Sequence, residues 1–237
     1  MRVFGRFRRE DAGVGLMELI VAMSISMVIL VAVGGFFTAT LRAGSTNTRS
    51  DQNARSAAVV MNSLTRYVHA ASLLPRADGT YAAAVTQANG SRMTFTAFID
   101  LDGNATDTPV QVRYSLNAAR GLVLDRWTGT TTKGFTTFPA PTQAPTRTMV
   151  LGGAVATPTG DGDPLFTYLG ANGSPLATLA DGSVPASQLG AIRAVRVNLE
   201  LGSATADTPG NTHIQNTLYL FNVAYGTGTG TGIGSTP

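Results

Sequence analysis

The sequence predicts an α+β fold: a long N-terminal helix whose second half packs on an antiparallel β-sheet. Three observations point there. From Val14 to Leu41 the only ionisable side chain is Glu18, no proline interrupts the chain before Pro75, and beyond Pro75 short segments of alternating apolar residues are separated by Gly, Asp, Asn and Pro. Long helix first and strands afterwards is the order of an α+β domain, and alternation implies sheets with one wet face. The chain contains no cysteine, so disulfides and thiolate metal sites are excluded and an outer domain must stand on its core alone.

The chain opens with a basic head, residues 1–13, in which Arg2, Arg6, Arg8 and Arg9 face Glu10 and Asp11. That head supplies +2 of the net charge of +3, so the high isoelectric point is largely its effect and says little about nucleic acid. The apolar run that follows, residues 14–41, would make a helix about 40 Å long, enough to cross a bilayer. Basic residues before the span and fewer after it predict a single-pass membrane protein, with the head in the cytoplasm and the bulk of the chain outside. No small-residue cleavage site of the A-x-A type closes the run before Gly34-Gly35, so the span is expected to stay in the mature chain.

Glu18 needs an explanation, because an acid at the centre of a membrane helix costs about 2.5–3.5 kcal/mol, a cost that falls toward the ends. By position alone it is an interfacial acid. The whole arrangement says more: a basic leader ending in Gly13, an apolar residue, and a glutamate fifth after the glycine, followed by Leu19, Ile20, Val21 and Ala22. This resembles the type IV prepilin family, including the pseudopilins of type II secretion. The resemblance implies cleavage between Gly13 and Val14 by prepilin peptidase, N-methylation of Val14, and pairing of Glu18 with the terminal amine of a neighbouring subunit. Val14 and Gly15 depart from the usual phenylalanine and threonine.

Residues 42–74 are expected to extend the helix as an outer amphipathic half, with Ala54, Ala57, Ala58, Met61, Leu64, Val68 and Ala71 on one face. Gly34-Gly35 and Gly44-Ser45-Thr46-Asn47 are the weak spots where it could bend. Residues 75–225 read as an antiparallel β-rich outer domain. Strands are expected at Ser91–Ile99, across Val110 to Leu116, from Leu122, and at Thr148–Val155, Leu165–Leu169, Ile192–Leu201 and Asn216–Tyr225. Phe135 to Pro145, with three prolines, reads as an extended surface loop, and residues 226–237 as a disordered Gly/Thr tail. The Tyr114-to-Leu124 hairpin, then Phe166-Thr167-Tyr168 with Gly170 and Gly173, then Ile192 to Val197, resembles minor pilins of the W type and the J-type minor pseudopilin.

Asp100, Asp102 and Asn104 suggest the first half of a calcium loop, but the glycine stands fourth rather than sixth and Gln111 occupies the place of the bidentate glutamate. A polar hairpin turn is the plainer account, Asp161-Gly162-Asp163 is read the same way, and calcium stays open as an alternative. His69 and His213 have no partner pattern, and His69 is expected on the wet side of the helix. No G-x-S-x-G, H-E-x-x-H or phosphate-binding glycine loop is present, so neither an enzyme nor a cofactor is expected. Arg113, Arg120, Arg126, Lys133 and Arg147 collect around Tyr114 and Trp127, a mixture that could stack bases, although packing is the plainer role for Trp127 and nucleic acid is not an expected partner.

Together these observations lead to an expected minor pilin or pseudopilin, a filament subunit that resides first in the inner membrane and then in a pilus or pseudopilus. Its implied partners are prepilin peptidase, other pilin or pseudopilin subunits, an inner-membrane platform protein with its assembly motor, and membrane lipid. The alternatives are an adhesin or DNA-uptake pilin displayed on a filament, and a single-span protein that does not polymerise.

Overall fold

The computed structural model describes residues 15–99, 108–158, 162–203, 205–206 and 208–225. In chain order these form α1 (Leu16–His69), β1 (Leu74–Pro75), β2 (Tyr81–Ala82), β3 (Val85–Asn89), β4 (Arg92–Phe98), β5 (Pro109–Leu116), β6 (Gly121–Thr128), β7 (Thr130–Thr132), β8 (Phe135–Thr137), β9 (Arg147–Ala154), β10 (Phe166–Leu169), a 3-10 turn (Ala186–Ala191), β11 (Ala194–Leu201), β12 (Thr212–Tyr219) and α2 (Phe221–Tyr225). The fold is α+β, a long N-terminal helix with antiparallel sheets. The chain divides into two compact units, Met1–Asn47 and Thr48–Pro237.

The helix α1 runs from Leu16 without a break in its helical assignment at Gly34-Gly35 or at Gly44 to Asn47. A Cβ at Gly34, Gly35 or Gly44 would meet nothing within 4 Å. These glycines therefore leave the backbone open on that side.

In the second unit, α1 covers the sheets with Ala57, Val60, Met61, Leu64, Tyr67 and Val68, and Ala71 just beyond its end is buried with them. These positions recur every three or four residues and form one stripe. The expected face was partly misplaced: Ala54 and Ala58 are exposed, while Val60 and Tyr67 are buried. The helix also ends at His69 rather than near residue 74. Ala71 bridges Ala97 on β4, and Leu74–Pro75 pairs with Tyr81–Ala82, so strand pairing replaces the last predicted turn.

The larger sheet has the order β3-β4-β5-β6-β9 and the smaller β10-β11-β12, antiparallel throughout. The two meet where Val155 bridges Leu201, with Ala156 N–H donating to the Glu200 carbonyl and Gly202 N–H to that of Ala154. One apolar cluster joins the helix face to Phe95, Val112, Tyr114 and Leu124 of the larger sheet and to Tyr168, Val195, Val197 and Leu199 of the smaller. Within it Tyr114 stacks on Phe95 at 6.2 Å and meets Tyr67 edge-on at 6.4 Å.

The strand expectations hold for β4, β5, β6, β9, β10 and β11 to within two residues. The last strand differs, running Thr212–Tyr219, after which Phe221–Tyr225 turns into a short helix instead of continuing extended. Phe135 to Pro145 is not all loop, because Phe135–Thr137 pairs with Thr130–Thr132. The remainder lies over the sheet face turned away from α1. There Trp127 Nε1 donates to the Gln143 carbonyl at 3.1 Å and Arg113 Nη1 to that of Pro141 at 2.9 Å.

Candidate functional site

The first unit is dominated by side chains that water would not accommodate. Between Leu16 and Leu41 the large apolar residues are 50–77 % exposed, among them Ile20, Ile29, Leu30 and Phe36. An 18-residue window of α1 reaches a mean hydropathy of 2.5 with none of it buried, and this is the one helix among the described residues long and apolar enough to cross a membrane. The hydroxyls in the run turn back on their own helix. Ser24 donates to the Ile20 carbonyl at 2.8 Å, Ser26 to Ala22 at 2.7 Å, Thr38 to Gly35 at 2.9 Å and Thr40 to Phe36 at 2.9 Å. Every such bond removes a donor that hydrocarbon could not satisfy.

Glu18 stands in the first turn of this helix and is exposed, flanked by Met17 and Leu19. Its backbone N–H donates to the Gly15 carbonyl at 2.9 Å, closing that turn. A carboxylate near a helix N-terminus is favoured by the aligned peptide dipoles. Among the described residues its side chain has no ion-pair partner. The predicted processing positions Gly13 and Val14 lie outside the described residues, as do Asp100, Asp102, Asn104 and Asp161, so neither the cleavage site nor the calcium-loop reading has a structural account.

The five cations that the sequence placed together are separated by the fold. Arg113 is tied to Asp125 by Nη2 at 2.6 Å and Nε at 3.1 Å, and it lies over the Trp127 ring at 4.7 Å. Arg120 has φ of +59° in the β5–β6 turn and donates from Nε to the Val155 carbonyl at 2.6 Å and from Nη2 to that of Ala156 at 2.9 Å. Lys133 sits at φ of +51° in the β7–β8 turn. Trp127 and Tyr114 are fully buried and cannot stack on a base. That leaves Arg126 and Arg147, which face each other across β6 and β9.

The buried tyrosines serve the core. Tyr168 OH donates to the Asn89 and Arg92 carbonyls at 3.1 and 2.9 Å, and burial pushes its pKa well above the ordinary phenol value. Tyr114 is shifted the same way by burial and shares a hydrogen bond with Ser63 at 2.9 Å. His69 is half-buried rather than on the wet face, because its ring meets Phe221 edge-on at 4.8 Å. His213 is paired with Asn198 across β11 and β12. That pair borders an open groove of about 830 Å3 also lined by Asp163, Asp181, Glu200 and Asn211. Asn211 Nδ2 donates to Glu200 Oε1 at 2.7 Å and Asn198 Nδ2 to the Asp163 carbonyl at 3.3 Å, so much of the groove's polarity is used internally. Among the described residues no group of three or more His, Cys, Asp or Glu could hold a metal ion.

No protein-family model, curated protein or solved structure matches the chain. What the sequence did not reveal is Arg66, which the helix brings to the sheet face carrying Arg126 and Arg147. Its i+1 neighbour Tyr67 points into the core, and that one-residue offset places the guanidinium at the edge of the packed stripe.

Proposed function

We propose that this protein is a minor pilin or pseudopilin, a structural subunit that initiates, caps or modifies a thin filament of type IV pilus or type II secretion design. The observation that carries the reading is an apolar helical stretch, exposed from Leu16 to Leu41 and with its hydroxyls bonded to its own backbone, that holds one carboxylate in its first turn with no ion-pair partner among the described residues. The chain enters the inner membrane through this span with its basic head in the cytoplasm. Prepilin peptidase cuts after Gly13, and the new amine on Val14 is methylated.

A platform protein and motor then lift the subunit into a bundle of like helices. There the amine of one chain and Glu18 of another form a charge pair. In a low-dielectric bundle, removing one partner of such a pair costs about 3–5 kcal/mol, so a lone Glu18 is a strong demand for a neighbour in one register.

The test is Glu18→Ala. The variant should insert and lose its leader normally, yet its recovery in sheared filament fractions should fall by at least tenfold. Normal incorporation would refute the pairing role. A bulky residue at Gly13 should leave the leader attached, and a mass measurement on the membrane-bound chain reads this directly.

A further inference from the structure

Where the outer half of α1 crosses the larger sheet, three arginines with no carboxylate partner among the described residues line one cavity, Arg66 and Arg147 exposed and Arg126 half-buried. Arg66 of α1, Arg126 of β6 and Arg147 of β9 line a cavity of about 210 Å3, together with the Ser63 and Tyr67 side chains. Leu124 and Met149 complete its wall with apolar surface. Arg126 and Arg147 are direct cross-strand partners, an arrangement in which like charges destabilise a sheet. Arg126 Nε is buried and has no hydrogen-bond partner, which leaves a charged donor desolvated and unanswered.

Among the described residues no carboxylate pairs with any of the three. Asp125, next to Arg126 in sequence, points to the opposite face of the strand, where Arg113 and the Thr148 hydroxyl hold it at 2.6 and 2.7 Å. Arg113–Asp125 is the one salt bridge among the described residues. Arg66 lies over the Tyr67 ring at 5.2 Å.

We propose that this cavity binds a phosphoryl oxyanion, either free phosphate or the phosphate of a lipid headgroup. Planar guanidinium forks pair with tetrahedral oxyanions through two N–H donors each. Free phosphate, with between one and two negative charges at neutral pH, balances the arginines more closely than a carboxylate does, and a lipid phosphodiester, with a single charge, still offers the guanidinium forks tetrahedral oxygens. The cavity is smaller than the 300–1,000 Å3 usual for drug-sized ligands, so it admits the charged group and leaves any attached chain or glycerol outside. Ser63 lines the cavity while sharing its hydroxyl with Tyr114 OH at 2.9 Å, and Leu124 and Met149 give one side an apolar wall.

The experiment uses the full chain in detergent at fixed ionic strength, with thermal unfolding read from Trp127 fluorescence and affinity from calorimetry. Inorganic phosphate should raise the midpoint where equivalent chloride does not, and Arg126→Gln or Arg66→Gln should weaken phosphate at least tenfold. Arg147→Gln carries an opposite-sign signature: without phosphate it should unfold at a higher temperature than the parent, because the cross-strand repulsion is gone, while losing most of the phosphate-dependent gain. Arg126→Lys keeps the charge and guards against a folding failure in Arg126→Gln.

Binding of inorganic phosphate but not of a short-chain phosphatidylglycerol assigns free phosphate, and the reverse assigns the headgroup. Either result supports the proposal. Absence of binding by both at 10-millimolar concentration, on the order expected to saturate even a weak site, would overturn it. So would arginine variants that bind as tightly as the parent.

Discussion

The two halves of α1 share one unbroken helical backbone and differ in almost everything else. From Leu16 to Leu41 its apolar side chains ring the helix and stay exposed, whereas from Thr48 to His69 most of the large ones lie in one stripe that the sheets bury, with Val59 left exposed. The contrast shows that helix formation and core formation are separate decisions in this chain. The backbone needs no packing partner where the solvent is hydrocarbon, since internal hydrogen bonds satisfy it. In the second unit, marginal propensity is supplemented by tertiary burial.

The contrast can be broken by making one chemical change in each half. Leu64→Ala removes a fully buried side chain from the core and should cost the outer domain about 2–5 kcal/mol. Leu30→Ala, on a residue 73 % exposed, should leave that unfolding transition where it was and weaken only retention in the bilayer. Trp127 is the sole tryptophan and is fully buried in the outer unit, so its fluorescence in denaturant reports the first change and is blind to the second. Equal shifts for the two variants would mean that the halves are not independent.

The next largest effect concerns charge. Glu18 is a carboxylate without a partner among the described residues, and Asp125 is one with several. Asp125→Ala strands the guanidinium of Arg113, 19 % exposed, beneath the proline-rich loop, and should destabilise the domain by about 3 kcal/mol. Glu18→Ala should leave the same Trp127 transition unchanged.

The smallest effect is one of pH. The Ser183 hydroxyl and N–H hold the Asp181 carboxyl below its usual value, and Thr80 does the same for Asp78. A depressed pKa in the fold stabilises it above the unfolded carboxylate value, and that contribution is lost as pH falls through the folded value. Both turns should therefore loosen only in acid, visible as chemical-shift changes of the Ser183 and Thr80 amides at a pH below 4, the ordinary carboxylate range. A shift at higher pH would contradict the assigned hydrogen bonds.

Much of this architecture is legible in the residue order. The apolar span, the helix continuing past it, and the alternation at Ala194–Leu201 each depend on local periodicity, which sequence displays directly. What was hidden depended on partners distant in the chain. The helix stops at His69 because Ala71 finds Ala97, and His69 leaves the wet face because Phe221 comes to meet it. The basic group was misread for the same reason. Proximity in sequence joined Arg113 to Arg126, but the pleat sends them to opposite faces, and Arg66 joins from a helix nearly sixty residues earlier.

The outer half of α1 is fastened by residues 210–222. Asn53 Nδ2 donates to the Gly210 carbonyl at 2.8 Å, the Thr212 hydroxyl to that of Ser50 at 3.3 Å and Asn222 Nδ2 to that of His69 at 3.3 Å, bonds that reach across 157, 162 and 153 residues. A nascent polypeptide would thus expose this segment while those intervening residues are made, its seat incomplete until β12 emerges. At about 5–20 residues per second, that is an interval on the order of ten seconds in which the half-finished molecule is vulnerable to wrong associations, and in which a holding chaperone would find its opportunity.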